Sequence, residues 1–465
     1  MPDLLNSGQS SPATLSYLAR TGPCWVLQTT SARADHTGDA VPGTAHRDDG
    51  RARETDSVRP SRVGWGFIAL YALSYTGGSL LFLAPLLVSL ALKVRDLVGT
   101  DAAPGNLALV AGVGSLLSIV ANPLFGRLSD RTTSRWGMRR PWMVAGVAMG
   151  AVGTMVIAVA PDIRTVLVGW CLCQVFFNAT LAAQTAVLAD QVPTGQRGVV
   201  SGVLGLAVPA ASVTGTYLVQ LFDHSTVLMF AVPCAVGGTA VLLFAWRLKD
   251  RRLAAGDKPV WSLREVAATF YVSPRRNPDF AWAFLSRFML VTAYAFLVTF
   301  QAFFLIAQVG STEEAVPRQV YLGTVVQSVA LVAVAPVAGR ISDRLGRRKV
   351  FVMAAAVIYA CALFVIAGAT SVDRYLVGMA IGGAGFGMYM AVDLALVVDV
   401  LSDPLTAAKD LGVLNIAGAL PFAVAPALAP GLLELGNGSY AVLYAVAGAC
   451  ALGGAVAVAP IRTVR

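Results

Sequence analysis

Charge is what this sequence has least of. Only 13% of its 465 residues are Asp, Glu, Lys or Arg, about half of the ~25% typical of soluble domains. So few charges cannot cover the two or three soluble domains that this length would otherwise make. Histidine is nearly missing: His36, His46 and His224 are all there is, and none lies in an apolar run. Cysteine is sparse, and five of the six residues lie inside apolar runs, with Cys24 the exception. Cys171 and Cys173 stand two apart on a helix, point in different directions and make a poor metal pair; small apolar packing residues are the expected role. No Asp-rich metal motif, His ligand set or paired carboxylates occur at membrane depth, so no catalytic residue, metal or cofactor is expected.

What is present is apolar, at 56% of the chain. Twelve runs stand out, over 65–92, 105–128, 141–160, 164–190, 198–221 and 227–246, then 282–308, 319–341, 350–369, 374–400, 410–433 and 439–460. Most reach the ~20 residues that cross a hydrocarbon core of ~30 Å. The expected fold is an all-α membrane protein. The runs at 141–160 and 164–190 are parted only by Pro161-Asp162-Ile163, so the count is open there.

Numbering the runs sorts the basic residues. With both chain ends on one side, 29 of the 35 Lys and Arg fall in segments on that side. This is the asymmetry of cytoplasmic loops, and it places both termini in the cytoplasm. The net charge of +9 then records topology, and a nucleic-acid partner is not expected; the lipid bilayer is the partner.

Two basic phrases, "GRLSDRTTSRWGMRRPW" from Gly126 and "GRISDRLGRRK" from Gly339, follow the second and eighth runs at a spacing of 213 residues. The first phrase is four residues longer between Asp and Gly. Asp190 and Asp399, which end the fourth and tenth runs, are accordingly 209 apart. The chain reads as two copies of six spans, an arrangement typical of secondary transporters, whose substrate sites lie near the midplane between repeats. The expected domains are a polar, patternless tail at 1–62, six-span bundles at 63–247 and 282–465, and a linker at 248–281. In that linker Ser262-Leu263-Arg264-Glu265 reads as a capping box opening a short helix, closed by Ser273-Pro274.

The phrases bring carboxylates and guanidiniums to one membrane face. Gly126 and Gly339 are placed for close helix approach. Asp130, Arg131, Asp190 and Arg197 in one copy, with Asp343, Arg344 and Asp399 in the other, can form a ring of charge-assisted bonds. Such a ring would hold the halves together when the cavity opens to the other side.

Gly-x-x-x-Asp-Arg in both halves, followed by Gly-x-Arg-Arg in the first and Gly-x-Arg-Lys in the second, resembles the loop signature of the major facilitator superfamily. The longer first phrase, from Ser129-Asp130-Arg131 to Arg139-Arg140-Pro141, is similar to plant-type sucrose transporters, their animal relatives, and the glycoside–pentoside–hexuronide symporters. The resemblance implies a twelve-helix, two-bundle fold in the cell membrane and alternating access, with spans one, four, seven and ten lining the cavity. It also implies coupling to protons or, in some members, sodium. The first run has no carboxylate before Asp96, which leaves protons as the expected ion. Where exporters of the superfamily often carry Gly-Pro-x-x-Gly-Gly in span five, this chain reads Val208-Pro209-Ala210-Ala211-Ser212, so the direction of transport stays open.

Polar residues in the lining spans are the candidate substrate contacts: Tyr71, Tyr75, Gln174, Asn178, Gln184, Tyr294, Gln301 and Tyr389. Asp393 is the one carboxylate clearly inside a run, and Arg287 reaches a similar depth. A charge there costs ~3 kcal/mol or more, so the two are expected to pair and to couple protons. The 209-residue spacing sets Gln184 opposite Asp393, and both are expected to face the cavity. The expected function is proton-coupled transport of a small organic solute by a monomer, with a sugar or glycoside favoured. Efflux of a drug or secondary metabolite is the alternative. A membrane enzyme or a transporter-like sensor is the weaker one.

Overall fold

The computed structural model describes residues 62–253, 277–400, 413–414 and 416–462. The expected tail, apart from Arg62, and the short linker helix lie outside the described residues. Among those residues the chain is helical and has no strand.

The first helix, α1 (Trp65–Ala84), runs through a π-helical segment (Pro85–Ser89) into α2 (Leu90–Asp130). Together they form one apolar stretch of 66 residues, about 100 Å at 1.5 Å per residue and three times the hydrocarbon core. Gly99 divides it, with φ 77° and ψ 170°, a conformation that a Cβ would strain. Pro104 follows in the first turn after the break, where its missing N–H matters least. The chain thus crosses once before Gly99 and returns after it.

The doubtful pair of runs is two helices, α3 (Arg140–Ala158) and α4 (Ile163–Gln191). Asp162 starts the second by accepting the Thr165 N–H at 2.8 Å, and that hydrogen bond holds its carboxyl below the usual carboxylate range. Span five is two helices meeting at Leu206, α5 (Thr194–Gly205) and α6 (Ala207–Leu221); α7 (Thr226–Arg247) completes the first half. The second half holds α8 (Pro278–Ala307), α9 (Val316–Leu345), α10 (Arg348–Ala367), α11 (Val372–Val400), α12 (Pro421–Leu435) and α13 (Tyr440–Val458). With the first stretch counted as two crossings, the described helices make twelve.

The shared glycine of the basic phrases has a conformational cause in both copies. Gly137 has φ 106° and Gly346 φ 61°, and each turns the chain from one span into the next. The other glycine pair behaves differently from expectation. A Cβ on Gly126 would meet nothing within 4 Å, and one on Gly339 would lie an ordinary 3.7 Å from Ala391. Neither marks a close helix crossing among the described residues. Close crossings occur deeper, as where a Cβ on Gly153 would fall 2.8 Å from the Gly169 carbonyl oxygen.

Within each half the fourth helix of the repeat is central: α4 packs on α1, α2 and α3, and α11 on α8, α9 and α10. The halves meet through α2 against α12 and α6 against α9. Ser115 donates to the Phe422 carbonyl at 3.0 Å in the first contact, and Tyr217 and Tyr321 have ring centroids 5.5 Å apart in the second. These joints lie at mid-depth or toward the face opposite the basic phrases.

Candidate functional site

The site is built from mid-depth outward. On α8, Arg287 Nη1 donates to Asp393 Oδ2 of α11 at 2.5 Å. Asp393 is 4% exposed and the Arg287 side chain 19%, so the pair is buried with one edge toward the bundle's open side. Arg287 Nε is buried without a hydrogen-bond partner, which leaves the guanidinium a spare donor. Gly418 lies beside it, a Cβ there standing an ordinary 3.8 Å from Arg287 Nη2.

Toward the opposite face the two halves line a small, partly open cavity of about 30 Å³, room for about one or two waters. Leu87, Pro209 and Ser212 line it from the first half; Tyr294, Gln301, Thr324, Gln327 and Phe386 are among its walls in the second. Tyr294 stacks on Phe386 with centroids 4.4 Å apart and planes 9° apart, a flat aromatic wall. Gln301 Oε1 accepts from Tyr375 at 3.1 Å, while Gln327 Nε2 is buried with no partner. An amide donor with nothing to bind is costly in a dry site, so the cavity is suited to a polar occupant.

Of the eight polar candidates, Tyr294 and Gln301 reach this cavity and the others do not. Tyr71 donates to the Gln184 carbonyl at 2.7 Å and stacks on Phe244 at 5.2 Å. Gln184, with no exposed surface, donates to Ser74 Oγ at 2.7 Å and to the Ser74 carbonyl at 2.8 Å. Both residues sit in helix packing, which corrects the expectation that Gln184 faces the cavity: its position on α4 points at α1. Tyr75 meets Tyr71 edge to face. Asn178 donates to the Gln174 carbonyl at 2.7 Å and accepts from Asn122 at 3.3 Å. Tyr389 is fully buried beside Phe386.

At the basic face one guanidinium organises the first half. Arg139 binds Asp130 at 2.6 Å through Nη2, Asp190 at 2.8 Å through Nε, and Ser129 Oγ at 2.5 Å through Nη1. Burial works against the charge on Arg139, yet the two carboxylates outweigh it and raise its pKa. Asp250 Oδ2 accepts the N–H groups of Arg139 and Arg140 at 2.6 and 2.9 Å and fixes the loop. Arg197 donates to the Val192 and Ala189 carbonyls at 2.9 and 2.8 Å, capping the end of α4. In the second half Arg348 stands in the place of Arg139, 3.8 Å from an exposed Asp343. The Asp399 side chain lies outside the described residues. Each of these ion pairs lies within its own half.

At the opposite face one ion pair does cross. Arg95, 6% exposed, pairs with Glu313 from the loop before α9. They border an open recess of about 490 Å³ that Asp96, Asp223, His224 and Glu314 also line. Sequence reasoning missed Arg139, Arg95, Gln327 and Asn122. Arg139 was inside the repeated phrase, but its role depends on the turn at Gly137; Arg95 resembled a loop charge.

The halves therefore meet at mid-depth and at the face opposite the basic phrases, beside a small polar-lined cavity and a buried ion pair. The sequence profile described as Major Facilitator Superfamily matches residues 65–315 and 311–464. The chain belongs to the major facilitator superfamily. It is a multi-pass membrane protein of that superfamily. A tetracycline resistance protein of class G from Vibrio anguillarum is 28% identical over 195 residues, 41% of this chain and 48% of that one. The sucrose transport protein SUC4 of Arabidopsis thaliana is 30% identical over 26% of this chain and 29% of its own. A homolog of the multi-drug efflux pump PmrA from Lactococcus lactis is 23% identical over 63% and 71%. The chain thus spans less than half the length of the first two of these relatives. Among solved structures, the nucleoside transporter NupG superposes with a TM-score of 0.65 at 13% identity, over 85% of this chain and 99% of that one. A bacterial homolog of the human lysosomal transporter Spinster, inward-facing and unoccupied, gives 0.61 at 14% over 85% and 94%. These superfamily structures establish the fold alone.

Proposed function

We propose that this transporter moves a small hydroxyl-bearing solute, a sugar or glycoside, by alternating access driven by protons through Asp393. The observation that carries the reading is the buried pair Arg287–Asp393 between two helices that must shift as the cavity changes sides. Protonating Asp393 removes the charge that holds Arg287, so the cost of loosening α8 from α11 falls when a proton is bound. Ser212, Gln301, Thr324, Gln327 and Ser328 supply hydrogen-bonding groups beside the Tyr294–Phe386 wall. That mix suits a ring with hydroxyls along its edge and an apolar face, for which the space, now wide enough for only a water or two, must widen during the cycle.

We read the basic face as cytoplasmic, which the positive-inside asymmetry supports, and the membrane as the plasma membrane. With the pair Arg95–Glu313 closing the outer side, the conformation is inward-facing. The Arg139 cluster and its counterpart around Asp343 would meet across the cytoplasmic face in the outward-facing state. A second reading, proton-driven efflux, is supported by the likeness to the tetracycline and multi-drug resistance proteins. Growth of a deletion strain on single sugars, set beside its sensitivity to a panel of inhibitors, separates the two. Lost growth on a sugar with unchanged sensitivity is the expected result. Heightened sensitivity with normal growth would overturn the sugar reading.

A further inference from the structure

The offset of 213 residues that links Gly126 to Gly339 also links Ser74 to Arg287, and the offset of 209 links Gln184 to Asp393. The structure supports this register independently. Ser79 donates back to the Tyr75 carbonyl at 2.9 Å, and its counterpart Thr292 donates back to the Phe288 carbonyl at 2.6 Å. Phe177 and Phe386, 209 apart, each pack on an aromatic ring of the first helix in their half, Phe82 and Tyr294, which lie within one residue of the 213 register.

The two halves therefore make one contact twice, with different chemistry. In the second half it is the ion pair Arg287–Asp393. In the first it is the amide of Gln184 donating twice to Ser74, reinforced by the Tyr71 hydroxyl on the Gln184 carbonyl. Gly78 lets the amide lie flat against α1, since a Cβ there would come within 3.2 Å of Gln184 Cδ. Ser74 and Gln184 have no exposed surface. The ion pair depends on whether Asp393 carries a proton. The amide and hydroxyl have no proton to gain or lose between about pH 4 and 9. The titratable groups that face this tie are Tyr71 and Tyr75 on α1 and Asp190 further along α4, which Arg139 engages; α7 presents Phe244. Those that face the ion pair are its own two charges and Tyr389, with Gly418 above.

We propose that Ser74 and Gln184 are positioning residues that hold span one against span four throughout the cycle. The first half then moves as a fixed frame, and release is confined to the second half's copy of the same contact. This rests on the reading of Asp393 as the proton-coupling carboxylate.

The test replaces the hydrogen-bonded tie by a covalent one. Gly78→Cys with Gln184→Cys is made in a background whose six native cysteines are alanine. A donor and an acceptor dye are carried on azidophenylalanine at Trp136 and Leu345, exposed residues at the basic ends of the two halves. Energy transfer is followed in vesicles as the pH is lowered, which needs no substrate. The expected result is that the oxidised protein keeps the full amplitude of the pH response. The reduced form, lacking the amide, melts at a lower temperature, and oxidation restores it. A response frozen by oxidation and recovered with reductant would overturn the proposal, because span one would then have to leave span four. Ser74→Ala gives a second arm: its response should keep the parental midpoint, and a displaced midpoint would also count against the fixed tie. A surviving pH response in Asp393→Asn defeats the coupling reading instead, while the oxidised and reduced forms still report on the tie.

Discussion

Arg139 illustrates how far a single residue's importance depends on local geometry. It forks between two carboxylates and a hydroxyl, a task for a planar guanidinium with several donors and not for a point charge. Arg139→Lys keeps the charge but cannot reach all three partners, and transport should fall about tenfold, the equivalent of one lost charge-assisted bond of ~1.4 kcal/mol or more. Arg139→Ala leaves Asp130 and Asp190 facing each other, and should cost about 3 kcal/mol, somewhat less where the carboxylates reach water; thermal unfolding in detergent reads this. Normal transport by the lysine variant would reduce the cluster to a topological anchor. None of this was legible from the sequence, where Arg139 is one of five arginines in a basic phrase. Arg287 and Asp393 were easier to read, because counting residues from the same face gives their depth and a lone charge at that depth needs a partner. Gln184 was misread for a related reason: its depth was right, but the face it presents is set by how α4 turns toward α1.

At the scale of helices, small residues decide which pairs can touch. A Cβ on Gly383 would overlap the Gln327 carbonyl oxygen, whereas one on Gly126 meets open space. Gly383→Ala should cost about 1–3 kcal/mol through overpacking and lower the yield of monodisperse protein, while Gly126→Ala should leave it unchanged. Equal yields for the two would contradict the packing described for α9 and α11. The pair Arg95–Glu313 gives another test. Glu313→Gln weakens the contact with Arg95, so a cysteine replacing Ser212 in the cavity should react severalfold faster with an impermeant thiol reagent added at the face that carries this pair. Exchanging the charges, Arg95→Glu with Glu313→Arg, should restore the slow rate; a rate indifferent to both changes would remove the pair from the gate. Most span positions were legible from apolar run length. Their interruptions were not: the sequence placed the first turn somewhere between residues 92 and 105, and only the backbone at Gly99 settles it. The break at Leu206 in span five carried no composition signal at all.

For the whole molecule, the two-bundle architecture follows from one repeated phrase and its spacing, because duplication leaves arithmetic behind even where identity has faded. What the sequence could not give is which face is closed, since both states of a transporter share one sequence and differ only by which contacts are made. Here the joints at the face opposite the basic phrases are formed. We propose that a proton moving on and off Asp393 is what lets the halves exchange these states under load. The most direct test is Asp393→Asn in proteoliposomes, using whichever sugar the growth screen identifies. The variant should fail to accumulate that sugar against a gradient when an inward proton gradient is imposed, yet should exchange labelled for unlabelled sugar at equal pH at close to the parental rate. Accumulation at the parental level in Asp393→Asn would contradict the central claim.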